Sequence, residues 1–76
     1  MHAYDFPPDL LQAQTSWYIA YQRLAGAAPA TSPTAGRREL LELSARIAAH
    51  PFWSGPGGTP AARMELKELA QREAGR

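Results

Sequence analysis

Apolar residues recur every three or four positions in three stretches of this chain, and clusters of proline and glycine separate the stretches. This period is that of an amphipathic α-helix, whereas a half-buried strand would alternate every second position. The pattern predicts helices over about 9–25, 34–49 and 59–74. No stretch alternates as a strand does, so we expect an all-α fold, a small three-helix bundle.

The first predicted helix has a wider apolar face than a core stripe requires. The centre of this face consists of Leu10, Ala13, Trp17, Ala20, Tyr21 and Leu24. Leu11, Tyr18 and Ala25 extend it to about half of the helix circumference, and Ile19 falls on the opposite, polar side. The width of the face leaves room for contact with a second chain.

The second and third predicted helices have narrower apolar stripes. These consist of Leu40, Leu43 and Ile47 in the second helix, and of Ala62, Leu66, Leu69 and Ala70 in the third. Ser32 or Thr34 is expected to cap the second helix, and Thr59 followed by Pro60 the third. Short connections favour an up-down-up bundle, with a third helix docked across the other two as the alternative.

The segment 50–53, His-Pro-Phe-Trp, is the most distinctive in the chain. Pro51 disfavours helical geometry at His50 and should end the second helix there. Phe52 and Trp53 form either a recognition patch for a partner or an aromatic plug that closes the bundle. Large apolar residues are otherwise few, so we expect the plug to be core. The predicted core then depends on Trp17, Tyr21, Phe52 and Trp53.

Length and punctuation predict a single helical domain, 1–76. Residues 1–8 are expected to form an N-terminal arm, either flexible or packed back on the bundle through Tyr4 and Phe6. The alternative is a segment that docks on another protein or chain. The glycine-rich segment 54–58 is expected to be a loop with little stiffness beyond its proline. It is not expected to bind phosphate, because it lacks the lysine and the preceding strand of a phosphate-binding loop.

Charge and composition narrow the functional classes. The net charge of +1 is too balanced to predict binding to nucleic acid or membranes. The absence of cysteine excludes disulfides and thiolate zinc sites. No apolar run approaches the roughly 20 residues of a membrane span, and no signal peptide is visible, so we expect a cytoplasmic protein. The preference for arginine over lysine is typical of GC-rich bacterial genomes.

Residue types that perform catalysis or bind metals form no convincing set. Arg46 and His50 lie one helical turn apart, but an acid–base pair acting on nucleic acid needs more positive charge around it. His50 can instead donate a hydrogen bond to a carbonyl at the helix end, where a cation is also favoured. We therefore expect no catalytic residue, no cofactor and no metal, and hence no enzyme.

Four basic residues suggest an alternative, binding to nucleic acid, if the start of helix 2 meets helix 3. They are Arg37, Arg38, Arg63 and Lys67. A helix-turn-helix joins its helices by about three or four residues, whereas the connections here, 26–33 and 50–58, are longer. Acidic side chains that would repel phosphate also lie on helix 3, namely Glu65, Glu68 and Glu73.

The leading hypothesis is a non-catalytic helical module for protein–protein interaction, with a protein partner or a second copy of the chain on its aromatic surface. That surface comprises Trp17, Tyr18, Tyr21, Phe52 and Trp53. The run 50–53, followed by Pro60-Ala61-Ala62-Arg63 and by Leu66-Lys67, resembles short proteins of high-GC actinobacteria. The resemblance covers about the second half of the chain, and it implies an origin and no activity.

Overall fold

The computed structural model describes residues 5–26 and 34–75. These form three α-helices, Pro8–Ala25 (α1), Thr34–Ala48 (α2) and Pro60–Ala74 (α3), and a short 3₁₀-helix, Pro51–Ser54 (η1), between α2 and α3. No strand occurs in these two ranges. The predicted all-α three-helix fold is confirmed, and each helix end lies within one residue of its prediction. The predicted cap Ser32 and the arm residue Tyr4 lie outside the described residues.

Prolines and a threonine fix the helix ends as expected. Pro8 occupies the first position of α1, and the carbonyl of Pro7 accepts hydrogen bonds from the amides of the first turn at 3.1 Å. The Thr59 hydroxyl accepts a hydrogen bond from the Ala62 amide at 3.1 Å and caps α3. His50 is extended, with φ −62° and ψ 134°, because it precedes a proline.

Helix α1 is the centre of the bundle. Both α2 and α3 pack on α1, and neither makes a comparable interface with the other. Helix α2 runs antiparallel to α1, since Leu24 approaches Gly36 near one end and Asp9 pairs with His50 at the other. Helix α3 begins at the end where α2 stops, because Arg63 lies over the ring of Trp53.

The core consists of small and aliphatic side chains, contrary to the prediction that four aromatic residues would form it. Its apolar members are Leu10, Ala13, Ala20, Leu43, Ala62, Leu66 and Ala70. Trp17, Phe52 and Trp53 are only half-buried, and Tyr21 is 52% exposed. Alanine on facing helices permits a close approach of their backbones, so the larger rings are displaced to the edge of the interface.

The plug at η1 lies where it was predicted but is not core. The Phe52 ring packs on the Phe6 ring, with centroids 5.4 Å apart, so this part of the N-terminal arm folds back on the bundle. Gly57 lies so close to Phe52 that a Cβ there would be 2.8 Å from the ring. Within the segment 54–58, which was expected to have little stiffness, Gly57 and Gly58 are thus packed closely against η1.

Candidate functional site

An open groove runs between α2 and α3 over the exposed side of α1. It exists because both outer helices pack on α1 and leave a gap between themselves. Its volume is about 840 Å³. We call it the aromatic groove. It is lined by Gln14, Trp17, Tyr18, Tyr21, Gln22, Ser44, Ile47, Ala48, Trp53, Arg63, Leu66, Lys67 and Gln71.

The floor of the aromatic groove is a cluster of three rings on α1. Trp17 and Tyr21, one turn apart, stack with centroids 5.4 Å apart and planes 6° from parallel. Tyr18 meets Trp17 edge-to-face at 5.3 Å. The Trp17 indole donates a hydrogen bond of 2.8 Å to the Ser44 hydroxyl on α2, which fixes the orientation of the stacked pair.

Trp53 forms the wall at the end of α2. Its indole N–H donates a hydrogen bond of 2.6 Å to the carbonyl of Ile47, which also accepts a hydrogen bond of 3.3 Å from the His50 amide at the end of α2. The Arg63 guanidinium lies over the Trp53 ring, 4.9 Å from its centroid. This cation–π contact joins the wall to the first turns of α3.

The opposite wall, on α3, is polar and positively charged. Arg63, Lys67 and Gln71 follow one another at intervals of four residues, so they lie on one face of the helix. The lining contains no Asp or Glu. Gln14 at the bottom of the groove is the buried polar residue of α1. The groove therefore has aromatic, apolar and cationic sides.

The structure brings together residues that the sequence assigned to two different hypotheses. Four of the predicted interaction residues line the groove, namely Trp17, Tyr18, Tyr21 and Trp53. Phe52 does not, because its ring faces Phe6. Of the predicted basic patch, Arg63 and Lys67 line the groove, and Arg37 and Arg38 do not.

The two halves of that basic patch are separated along α2. Arg37 lies near the start of α2. Arg63 lies over the ring of Trp53, and the indole of Trp53 is hydrogen-bonded to Ile47 near the end of α2. At about 1.5 Å per residue, roughly 15 Å of helix separates residues 37 and 47.

Sequence analysis missed Gln14 and Ser44, because glutamine and serine occur both on solvated surfaces and in grooves.

His50 joins the end of α2 to the start of α1. Its Nδ1 accepts a hydrogen bond from the Phe52 amide at 3.1 Å, so the ring proton is on Nε2. Nε2 donates it to the Asp9 carboxylate at 2.9 Å. The predicted donation to a helix-end carbonyl is replaced by this contact. Asp9 is 74% exposed and His50 only 16%.

The hydrogen bond from His50 lowers the pKa of Asp9, with the charge interaction between them as a smaller cause and the desolvation of Asp9 opposing it. A carboxyl whose pKa is lower in the folded chain stabilises the fold above its unfolded pKa and loses that effect as pH falls through the folded value.

We expect urea-unfolding midpoints of the wild type and Asp9→Asn to converge as pH falls from about 5 to 3. Asp5→Asn, at the same end of the molecule, is the control. Parallel curves for wild type and Asp9→Asn would contradict the assignment.

Features of two other site types are absent from residues 5–26 and 34–75. No group of three or more His, Cys, Asp or Glu side chains suited to a metal ion occurs there. None of the helices in these ranges combines the length and the apolar character that crossing a membrane requires. The aromatic groove, at about 840 Å³, is larger than the cavity beside His50, at about 290 Å³.

Comparison with known proteins gives a family and no activity. A family model for a domain of unknown function (DUF8825) matches residues 9–69, which include every groove residue except Gln71. No curated protein matches the chain, and no solved structure does. Because the match spans most of its length, this chain belongs to the DUF8825 family.

Proposed function

We propose that this chain is a non-catalytic interaction module of the bacterial cytoplasm, which binds a protein partner in the aromatic groove. The observation that supports this proposal is the arrangement of α2 and α3, which pack on α1 and leave the space between them open. In a four-helix bundle each helix contacts two neighbours, and the corner opposite α1 would hold a fourth helix. Here that corner is empty of any described segment.

The side chains at the open corner support the same proposal. Tyr21 is 52% exposed although it stacks on Trp17, and the half-buried Trp53 completes a second aromatic surface across the groove. Aromatic residues with apolar faces and polar edges are enriched where proteins bind one another. The fold leaves these rings partly exposed, so a partner would add apolar burial at about 25 cal/mol per Å².

Site-specific photo-crosslinking in the native host tests the proposal. The photoreactive residue is placed at Gln71, which lines the groove, and in a control chain at Arg72, which is exposed outside it. A discrete protein adduct from position 71 and none from position 72 is expected. Equal adducts from both positions, or none from position 71, would exclude a partner in the groove.

The mass of the adduct also decides between the two kinds of partner. An adduct of twice the chain's mass identifies a second copy, and sedimentation of the purified chain would then show a dimer. Any other mass identifies a different protein. Both results retain the groove as the interaction site, and they separate homodimerisation from recognition of another protein.

Binding to nucleic acid is the second candidate, and Arg63 and Lys67 beside aromatic rings favour it. Proteins commonly bind single-stranded nucleic acid by stacking its bases on aromatic side chains that lie next to cationic side chains. This candidate predicts affinity that falls steeply with salt concentration. Fluorescence anisotropy with labelled single-stranded and duplex oligonucleotides at about 50 mM salt measures it. Absence of binding there removes the candidate.

A further inference from the structure

We infer that the partner segment is an amphipathic helix with an acidic stripe along one edge of its apolar face, supplied by a protein other than this chain. This inference rests on the proposed function and adds the chemistry of the occupant. It follows from the unequal sides of the aromatic groove: the α2 side is apolar through Ile47, Ala48 and Trp53, and the α3 side carries Arg63 and Lys67.

The two cations are positioned for a partner and are not neutralised within the fold. Arg63 is held over Trp53 by the cation–π contact, yet its side chain is exposed. Lys67 is exposed one turn further along α3. Neither forms an ion pair with a carboxylate of the described residues, whose one such pair joins Asp9 and His50. A groove lined by two cations and no acid is complementary to a segment with negative charge.

The spacing of the cations selects a helical partner. Residues 63 and 67 are four apart on α3, which corresponds to a rise of about 6 Å. Carboxylates three or four residues apart on a second helix have the same spacing, so both can pair with the wall at once. The same helix would lay its apolar residues on Trp17 and Tyr21, as helices bound in grooves do.

A second copy of this chain is a poorer occupant. Within residues 5–26 and 34–75, the most exposed large apolar residue is Leu41, at 71%. Leu41 lies one turn from both Arg37 and Arg38 on α2. Inserting this face into the groove of another copy would bring these arginines toward Arg63 and Lys67, and like charges in an interface oppose binding.

Three synthetic peptides test the inference. Each is an amphipathic helix of about 20 residues with the same leucine face, labelled for fluorescence anisotropy, and the edge of that face carries Glu, Gln or Lys. The purified full chain is expected to bind the Glu peptide three- to tenfold more tightly than the Gln peptide, about the effect of one or two exposed ion pairs. The Lys peptide should bind most weakly, and the differences should shrink as salt is raised.

Charge reversal assigns the effect to the groove. Lys67→Glu is expected to weaken binding of the Glu peptide about tenfold and to strengthen binding of the Lys peptide, because one ion pair is replaced by a repulsion. The control is Arg37→Glu, the same kind of charge reversal outside the groove, and it should change either affinity less than about twofold. Circular dichroism verifies that both variants fold.

The other outcomes contradict the inference in distinguishable ways. Equal binding of the three peptides, lost in Trp17→Ala, would overturn the acidic stripe and leave the groove as a binding site. Equal effects of Lys67→Glu and Arg37→Glu would place the recognition elsewhere. If the chain binds an oligonucleotide and none of the three peptides, the inference is overturned and nucleic acid is the ligand. Failure of every peptide overturns the inference, and photo-crosslinking at position 71 still tests the proposed function separately.

Discussion

Replacing Trp53 with alanine is expected to lower the free energy of unfolding by about 3 kcal/mol, the low end of the range for removing a buried aromatic side chain. The side chain is half-buried, which reduces the loss of apolar burial. Three specific contacts add to it: the indole hydrogen bond to Ile47, the edge-to-face contact with Phe52 at 5.2 Å and the cation–π contact with Arg63. Chemical denaturation followed by circular dichroism measures the change.

Trp53→Phe separates the ring from its hydrogen bond. Phenylalanine retains an aromatic wall but lacks the indole N–H, so the Ile47 carbonyl keeps only the longer hydrogen bond from the His50 amide at 3.3 Å. We expect a loss of about 1 kcal/mol, the usual net value of one hydrogen bond. Small domains have total stabilities near the low end of about 5–15 kcal/mol, so the alanine variant should be partly unfolded at 37 °C. Alanine and phenylalanine variants that are both as stable as the wild type would show that Trp53 does not anchor η1.

Gly58→Ala is the second large effect, and it comes from close packing of the backbone. A Cβ on Gly58 would overlap the carbonyl oxygen of Trp53 and lie 2.6 Å from its carbonyl carbon. These are backbone atoms, so no side-chain rotation relieves the overlap, and the turn between η1 and α3 must open. We expect a loss of roughly 3 kcal/mol, the upper part of the range for overpacking, measured by the same denaturation.

Gly55→Ala is the matched control in the same loop. A Cβ at position 55 would be 3.6 Å from the carbonyl oxygen of Phe52, an ordinary contact, and its backbone with φ −92° and ψ −177° suits alanine. The substitution should be neutral or stabilise by a few tenths of a kcal/mol through the unfolded chain. Equal losses of stability in the two alanine variants would contradict this account. The glycines of the loop would then be explained by glycine flexibility in general and not by the approach of Gly58 to Trp53.

The helices could be predicted from the sequence because their ends depend on local chemistry. Pro8 at the start of α1, the Thr59 cap and the break before Pro51 each act within a few residues. Three of the four residues predicted for the apolar stripe of α3, Ala62, Leu66 and Ala70, are buried, and the fourth, Leu69, is partly exposed. Short-range rules suffice for such features.

The identity of the core could not be predicted from the same pattern. Hydrophobic periodicity places Trp17 and Tyr21 on the inner face of α1, and it does not tell which part of a wide face the neighbouring helices cover. Both neighbours pack through alanine and leucine, so the rings remain at the uncovered edge. The surplus width of the α1 face was the signal of the groove, and its position depends on where α3 docks.

The glycines of the 55–58 segment show a second limit. Composition alone suggested a loop without stiffness, because glycine is permissive. In the structure Gly57 and Gly58 are required by the approach of the Phe52 ring and the Trp53 backbone, which follows from tertiary packing. The pairing of His50 with Asp9, 41 residues away, is likewise invisible to local rules.

The most direct test of the aromatic groove as the binding site is a heteronuclear NMR titration of the ¹⁵N-labelled chain with the Glu peptide. The chain has two tryptophans, Trp17 and Trp53, and both line the groove, so their indole N–H signals report on it without any substitution. We predict that both indole signals and the amides of Lys67 and Gln71 shift along one saturation curve, while the amide of Leu41 on the outer face of α2 does not. Saturable shifts at Leu41 with both indole signals unchanged would contradict the account.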